Sequence, residues 1–228
     1  MNDAPRYSAI IFDLDGTLVD SYDALTDAVN FALDAEGLRR VSSEELREYV
    51  GEGVERLLQR CMGRPDIPKR MHGNFEDRYA VVCRKKTRFL DGVEPTIREL
   101  TSRGYRMAVC TNKPTRFSVD IVEHLGVARC FDAIVGPDLA GARKPDPAHV
   151  LAALRPTETP PDEALFVGDM AIDVLGARAA GIDVAVIPTG STSIEELRDC
   201  RPDYILARFT QILDTIRETP LRYPERSS

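Results

Sequence analysis

Long apolar runs are absent from the sequence of 228 residues, and no stretch approaches the length needed to span a membrane. The first residues, M-N-D-A-P-R-Y, also lack a basic segment followed by an apolar one, which is the pattern of a secretory signal. These two absences argue against a membrane protein and against a secreted protein. We therefore expect a cytoplasmic protein with no membrane partner.

Cysteines are few and follow neither a metal-binding nor a disulfide pattern. The sequence contains five, and none of them forms a C-x-x-C pair. Their odd number and scattered positions favour reduced thiols over a disulfide framework. Catalytic or metal-binding cysteines are therefore not expected, and Cys110 is interpreted as a buried residue of a strand.

Positive charge is also scarce, since 37 Asp and Glu residues outnumber 30 Lys and Arg residues and give a formal net charge of -7. Proteins that bind nucleic acids without sequence preference are usually basic overall, so we expect no nucleic-acid partner. A hydrophobic content of 43% with 29% charged residues is ordinary for a globular protein. The length suits one domain that carries a smaller insertion.

Two kinds of periodicity divide the chain. Between residues 19 and 88, apolar residues recur at helical spacing in four segments, with no convincing strand among them. From residue 93 onwards, helical patterns alternate with short apolar strands, which is typical of a parallel sheet covered on both faces. We predict an α/β fold with a doubly wound, Rossmann-like parallel sheet. Its core is formed by 1–18 and 89–228, and 19–88 is an inserted all-helical domain.

The first predicted strand, A-I-I-F at 9–12, runs directly into D-L-D-G-T. Because side chains alternate along a strand, Asp13 and Asp15 can point to the same side, where two carboxylates repel unless a cation lies between them. A hard divalent ion with oxygen ligands suits such a pair, and we expect Mg2+. The alternative is an ordinary Asp-Gly turn with solvated acids.

Further polar residues follow later predicted strands, at the sheet edge where open parallel sheets bind their ligands. Thr111 and Asn112 precede a helix that opens with proline, an arrangement that suits a bound anion or, equally, an ordinary helix cap. Lys144 precedes Pro145 and offers a point charge for a phosphate, although a lone loop lysine is more often solvated.

The predicted strand at 164–168 is followed by Asp169 and, four residues later, Asp173. This spacing puts both carboxylates on one side of a helix start, which suits a metal ligand and a partner that orients it. Taken alone, the pair is better interpreted as a helix cap and a first-turn acid. Together with Asp13 and Asp15, the metal site becomes the better interpretation.

These residues resemble a known family. The four motifs of the haloacid dehalogenase-like hydrolases are matched in the same order by D-L-D-G-T at 13–17, T-N-K at 111–113, K-P at 144–145, and G-D at 168–169 with Asp173. The resemblance covers nearly the whole chain, because the insertion falls where the family carries a helical cap. With an acid at position 15, it implies a phosphatase or a phosphomutase.

Three segments most resemble phosphoglycolate phosphatases: V-G-E-G-V at 50–54, T-N-K-P at 111–114 and P-D-Y-I at 202–205. The resemblance implies hydrolysis of a small phosphorylated metabolite, with 2-phosphoglycolate as the first candidate. The alternatives are a sugar or nucleotide phosphatase, a pyrophosphatase, and a phosphotransferase similar to β-phosphoglucomutase. A non-catalytic scaffold that has kept the fold is a further alternative from a different class.

The resemblance also implies a role for each matched residue. Asp13 is the nucleophile that forms an aspartyl-phosphate, and Asp15 is the general acid and then the general base. Asp173 orients the water shell of the metal. The Mg2+ ligands are Asp13, the backbone carbonyl of Asp15, and Asp169. The phosphoryl oxygens are bound by Thr111, by backbone amides around Asn112, and by Lys144.

The loop Gly51, Glu52 and Gly53 matches a cap loop that faces the active site in relatives, and Arg56 lies one helical turn beyond it. We expect these residues to contact the non-phosphate end of the substrate, since arginine suits bidentate recognition of a carboxylate. A flexible loop with a solvated arginine is an equal alternative. We expect a monomer or a homodimer.

Overall fold

A computed structural model describes residues 6–216, so the predicted core's outermost parts, 1–5 and 217–228, lie outside the described residues. The strands are β1 (Ala9–Phe12), β2 (Val19–Asp20), β3 (Arg88–Phe89), β4 (Arg106–Cys110), β5 (Ala133–Val135), β6 (Ala164–Gly168), β7 (Asp183–Val186) and β8 (Tyr204–Ile205). Six of them form one sheet in the order β5-β4-β1-β6-β7-β8, and every pair in it is parallel. The predicted doubly wound parallel sheet is confirmed.

The described helices fall into two groups, before and after residue 89. The first four are α1 (Tyr22–Ala35), α2 (Ser43–Arg47), α3 (Val54–Met62) and α4 (Lys69–Lys86). The others are α5 (Val93–Ser102), α6 (Thr115–His124), α7 (Pro137–Ala140), α8 (Pro147–Leu154), α9 (Ala171–Ala179), α10 (Ile194–Asp199) and α11 (Ile212–Thr215). None of the described helices is both long and apolar enough to cross a membrane.

The central strand β1 is buried on both faces, which explains its unbroken apolar sequence. Its side chains alternate between two hydrophobic clusters. Ile10 and Phe12 join one cluster, which also contains the buried faces of α1 and α4. Ala9 and Ile11 join the other, which lies under α8 and α9. The sheet is therefore covered on both sides, and its polar residues are confined to the strand ends.

Residues 19–88 contain four helices, but the prediction that they hold no strand is wrong at both ends of the segment. Val19 and Asp20 of β2 pair antiparallel with Phe89 and Arg88 of β3. A two-residue strand carries too little alternation to be recognised, and it forms only because tertiary folding brings a distant partner beside it. This ribbon places the two ends of the helical segment next to each other.

Candidate active site

The sheet order brings the predicted polar residues together. Strand β1 lies between β4 and β6, so the residues that follow these three strands meet at one edge. Asp13, Thr111 and Asp169 are all buried there, with 6%, 2% and 1% of their surface exposed. Burial of polar groups costs free energy unless they are paired. Their burial therefore favours a functional polar site over ordinary solvent-exposed turns.

Three carboxylates form a compact group at this edge. Asp13, Asp169 and Asp173 each offer an oxygen atom, and these atoms all lie within 4.8 Å of one another. Burial, reinforced by the neighbouring acids, raises the pKa of Asp13 to about 6 and raises that of Asp169 well above its ordinary value. A hard divalent cation prefers oxygen ligands of this kind and would offset the repulsion among the acids. The donor set therefore fits a magnesium ion.

Lys144 lies inside this group and is only 1% exposed in its side chain. Its Nζ is 2.7 Å from Asp13 Oδ1 and 2.8 Å from Asp173 Oδ1. Burial lowers the pKa of Lys144, but the attraction of the two carboxylates is larger, and the net pKa lies above the ordinary value. The alternative of a solvated loop lysine is therefore wrong for this residue.

Asp173 belongs to both of the arrangements considered from the sequence. Its Oδ2 accepts the backbone N–H groups of Asp169 at 3.1 Å and Met170 at 3.0 Å, so it satisfies donors at the start of α9. Its other oxygen, Oδ1, binds Lys144. The first-turn acid and the member of the acid cluster are thus one and the same side chain.

Small residues make room for the acids. A Cβ atom on Gly16 or Gly190 would lie less than 3.0 Å from Asp169, and one on Gly168 would meet Asp173 equally closely. Gly190 gave no sequence signal, because a glycine in the P-T-G turn after β7 looks like any loop glycine. Thr17, which lies within the first motif, donates its Oγ1 hydrogen to Asp169 Oδ1 at 2.7 Å.

Asp15 is held separately from the three clustered carboxylates. Ser21 Oγ donates to its Oδ1 at 2.5 Å, and Lys113 Nζ donates to its Oδ2 at 2.6 Å. The structure thus separates Asp13 and Asp15, whose side chains were first expected to share one space. Ser21 gave no sequence signal, and Lys113 lay within the T-N-K motif without a role assigned to it.

Asn112 joins three loops. Its Nδ2 donates to the carbonyl oxygens of Gly51, at 3.0 Å, and Lys144, at 3.1 Å, and its Oδ1 accepts the N–H of Lys144 at 2.8 Å. The neighbouring Thr111 accepts the N–H of Lys113 through Oγ1 at 3.2 Å. The amide side chain therefore fixes the loop that contains Lys144 and touches the loop before α3.

The loop before α3 closes over the acids and leaves a cavity of about 40 Å³. Gly51 and Gly53 line this cavity, whereas the carboxylate of Glu52 pairs with Arg60. The cavity is otherwise lined by Asp13, Asp15, Leu25, Val50, Val54, Leu57, Thr111, Asn112 and Lys113. Arg56 is exposed, binds Gln59 Oε1 at 3.3 Å and does not line the cavity. The structure thus brings two of the four predicted cap residues to the cavity wall.

Comparisons with known proteins agree with this geometry. The family model described as haloacid dehalogenase-like hydrolase matches residues 10–187. The phosphoglycolate phosphatase of Mesorhizobium japonicum is 34% identical over 93% of this chain and 96% of its own length, and that of Cereibacter sphaeroides is 38% identical over 79% and 85%. A crystal structure of a predicted phosphoglycolate phosphatase from Haemophilus somnus has a TM-score of 0.82 at 28% identity, covering 92% of this chain and 98% of that one.

The matched region contains every motif that supplies the buried acids and lysines of the site. The chain shares its fold, with the six-stranded parallel sheet, with the solved relative over nearly the full length of both. The chain therefore belongs to the haloacid dehalogenase-like hydrolases, in their phosphoglycolate phosphatase-like subgroup, and is a phosphoric monoester hydrolase.

Proposed function

We propose that this enzyme hydrolyses 2-phosphoglycolate, a small phosphorylated metabolite, with Mg2+ and through an aspartyl-phosphate on Asp13. The observation that carries the proposal is the buried cluster in which Asp13 lies beside Lys144 and two further carboxylates at the wall of a small cavity. A carboxylate nucleophile and a phosphate are both negative and repel each other. A fixed positive charge beside the carboxylate reduces this repulsion and so favours attack on phosphorus.

In the first step, an oxygen of Asp13 forms a bond to phosphorus while the bond from phosphorus to the leaving oxygen breaks. Asp15, at the same cavity wall, gives its proton to that leaving oxygen. In the second step, water attacks phosphorus, its proton passes to Asp15, and the bond between phosphorus and Asp13 breaks. Phosphate leaves, and both aspartates return to their starting states.

The residues that would hold Mg2+ are Asp13, Asp169 and the backbone carbonyl of Asp15. Asp173, which is anchored to Lys144 and to backbone N–H groups, would orient the water around the ion. When bound, the ion neutralises phosphate charge and fixes the in-line geometry. The oxygen-only character of this donor set supports magnesium over a softer metal.

The phosphoryl oxygens are assigned to Thr111, to the backbone amides around Asn112, and to Lys144. Thr111 lines the cavity, and its hydroxyl has a hydrogen to donate while its oxygen accepts the Lys113 N–H. Lys144 carries its charge at the cluster, where it would stabilise negative charge in the transition state. The side-chain amide of Asn112 is occupied with loop contacts, so we assign its contribution to positioning of the loop.

Two observations support an acidic substrate. Helix α3 begins at Val54 after Gly53 with no side-chain cap, and such a helix start favours a negative group near it. The relatives from Mesorhizobium japonicum and Cereibacter sphaeroides are phosphoglycolate phosphatases. Because Arg56 is exposed and does not line the cavity, we do not assign it to the substrate carboxylate.

We also propose that residues 19–88 act as a lid over the core formed by 1–18 and 89–228. The β2–β3 ribbon joins the two parts, and the Asn112 contact with Gly51 holds the loop of the helical segment onto the core. A lid that opens and closes would exclude water in the first step and admit it in the second. The proposed setting is the cytoplasm, with the enzyme as a monomer or a homodimer.

The test is a phosphate-release assay of the purified protein with Mg2+. The panel contains 2-phosphoglycolate, hexose phosphates, nucleoside monophosphates and pyrophosphate. We expect 2-phosphoglycolate to give the highest kcat/KM, and Asp13→Asn to lower turnover by at least about a thousandfold. A higher kcat/KM for another member would replace the substrate, and an Asp13→Asn variant with wild-type turnover would refute the nucleophile. Conversion of a sugar phosphate into its isomer would instead favour the phosphotransferase.

A further inference from the structure

The carboxylate of Asp15 is held by two donors from different parts of the chain. Lys113 Nζ lies 2.6 Å from its Oδ2, and Ser21 Oγ lies 2.5 Å from its Oδ1. The side chains of Lys113 and Asp15 are only 5% and 13% exposed. A surface ion pair contributes little, but this one is shielded from water and both carboxylate oxygens are fixed.

An aromatic wall keeps Lys113 in place. The ring centroid of Tyr79, on α4 of the helical segment, lies 5.0 Å from Lys113 Nζ, which is within range of a cation–π contact. Tyr79 is itself 1% exposed and packs between Phe75, at 5.5 Å, and Phe117, at 5.0 Å between ring centroids. Within residues 6–216, Asp15 is therefore the one acidic partner of this ammonium group, and the pair is shielded from water.

The two buried lysines of the site have different partners. Lys144 binds Asp13 and Asp173, whereas Lys113 binds Asp15 alone among the acids for which an ion pair is seen in residues 6–216. Lys144 is thus placed to act on the nucleophile and the metal site. Lys113 is placed to act on the group that moves protons.

We propose that Lys113 is a positioning residue that fixes the Asp15 carboxylate, with Ser21, for proton transfer to the leaving oxygen. The inference rests on the proposed function and deepens it. When Asp15 donates its proton, a carboxylate remains, and the adjacent ammonium neutralises that new charge. Lys113 keeps its own protons throughout, so the transfer balances between Asp15 and the leaving oxygen alone.

Leaving-group dependence separates this role from a purely structural one. An alkoxide such as that of glycolate needs a proton as it leaves, whereas 4-nitrophenolate leaves without one. General acid catalysis contributes about 10²- to 10⁴-fold where a proton is needed. Loss of Lys113 should therefore slow the alkyl ester far more than the nitrophenyl ester, whereas a structural defect slows both equally.

The experiment is a single-turnover measurement with enzyme in excess, following release of glycolate from 2-phosphoglycolate and of 4-nitrophenolate from 4-nitrophenyl phosphate. This isolates the first step from the later attack by water. Lys113→Met removes the charge and keeps a side chain of similar length. Its single-turnover rate constant should fall about 100-fold on the alkyl ester and less than about 5-fold on the nitrophenyl ester. Lys113→Arg should recover at least tenfold on the alkyl ester. Lys85→Met, at an exposed lysine of α4, is the matched control and should leave both rates unchanged.

Ser21→Ala provides a second, milder variant that removes one small hydroxyl. It should show the same selectivity with a smaller loss, about tenfold on the alkyl ester. Equal losses on both esters in Lys113→Met and Ser21→Ala, or wild-type rates in Lys113→Met, would overturn the inference while leaving the proposed function intact. Absence of turnover of both esters by the wild-type enzyme would overturn the proposed function and this inference with it.

Discussion

Asn112 Nδ2 donates a hydrogen bond to the carbonyl oxygen of Gly51 at 3.0 Å, which joins the loop after β4 to the loop before α3. The same amide holds the backbone of Lys144 through both its oxygen and its nitrogen. One side chain, 7% exposed, thus connects the helical segment with the phosphate-binding side of the core. Closure of the cavity and the position of Lys144 are therefore expected to depend on each other.

Asn112→Ala should impair both stability and substrate binding. The substitution leaves buried backbone groups of Gly51 and Lys144 without their partners, at a cost of about 1–3 kcal/mol in the free energy of unfolding. We expect this loss in urea unfolding, together with a rise in KM. Asn112→Asp is the matched control, because it keeps the acceptor for the Lys144 N–H and loses the donor to the carbonyls of Gly51 and Lys144. A KM in Asn112→Asp equal to that of the wild type would show that the contact with Gly51 does not matter for binding.

Gly51→Ala should weaken closure of the same loop. Gly51 has a φ of +122°, and a Cβ atom there would collide with the thioether of Met170. Gly37→Ala is the matched control, since Gly37 also has a positive φ, +66°, but has open space around it. We expect a five- to tenfold rise in KM, about 1–1.4 kcal/mol, for Gly51→Ala only. Partial recovery in Gly51→Ala with Met170→Ala would assign the effect to the collision, and no recovery would assign it to the backbone.

Magnesium should stabilise the fold even without substrate. Binding to the folded state alone raises the free energy of unfolding by about 2.7 kcal/mol at 100 times Kd, so the thermal midpoint should rise with Mg2+. Asp169→Asn should abolish this rise. Asp15→Asn should retain it while turnover is lost, because only the backbone carbonyl of Asp15 is assigned to the metal. A Mg2+-dependent rise that persists in Asp169→Asn would contradict the assigned ligand.

The free energy of unfolding should decrease as the pH is lowered, because of His149. This side chain is fully buried on α8 and interacts with the carbonyl of Val135 through Nε2 at 3.1 Å. Burial lowers the pKa of His149 from 6.5 to about 4. Below pH 6.5, His149 binds a proton in the unfolded chain but stays neutral in the folded one. Its contribution to the free energy of unfolding is therefore complete above pH 6.5 and declines towards pH 4. At about 1.4 kcal/mol for each pH unit, the decline reaches about 3 kcal/mol.

His149→Gln keeps an N–H donor for the Val135 carbonyl and has no group that titrates. Its unfolding free energy should therefore change less between pH 6.5 and pH 4 than that of the wild type, measured by urea unfolding at several pH values. Parallel curves for the two proteins would exclude His149 as the cause of the decline.

Much of the fold followed from local pattern. The predicted strands at 9–12 and 164–168 coincide with β1 and β6, because an unbroken apolar run is a signal within one short segment. The β2–β3 ribbon was missed because its strands of two residues each depend on a partner far along the chain. The exposed position of Arg56 could not be predicted, because helical spacing alone does not say which side of α3 faces the cavity.

The sequence by itself determined which chemistry the chain contains: an aspartate pair after the first strand, and further acids and lysines after later ones. Only the tertiary structure decided how these charges are paired. Asp13 and Asp15 are two residues apart, yet one binds Lys144 and the other Lys113. The physical reason is that the order of strands β4, β1 and β6 sets which loops meet, and the cost of burying an unpaired charge favours an ion pair between each of these two lysines and the carboxylate beside it.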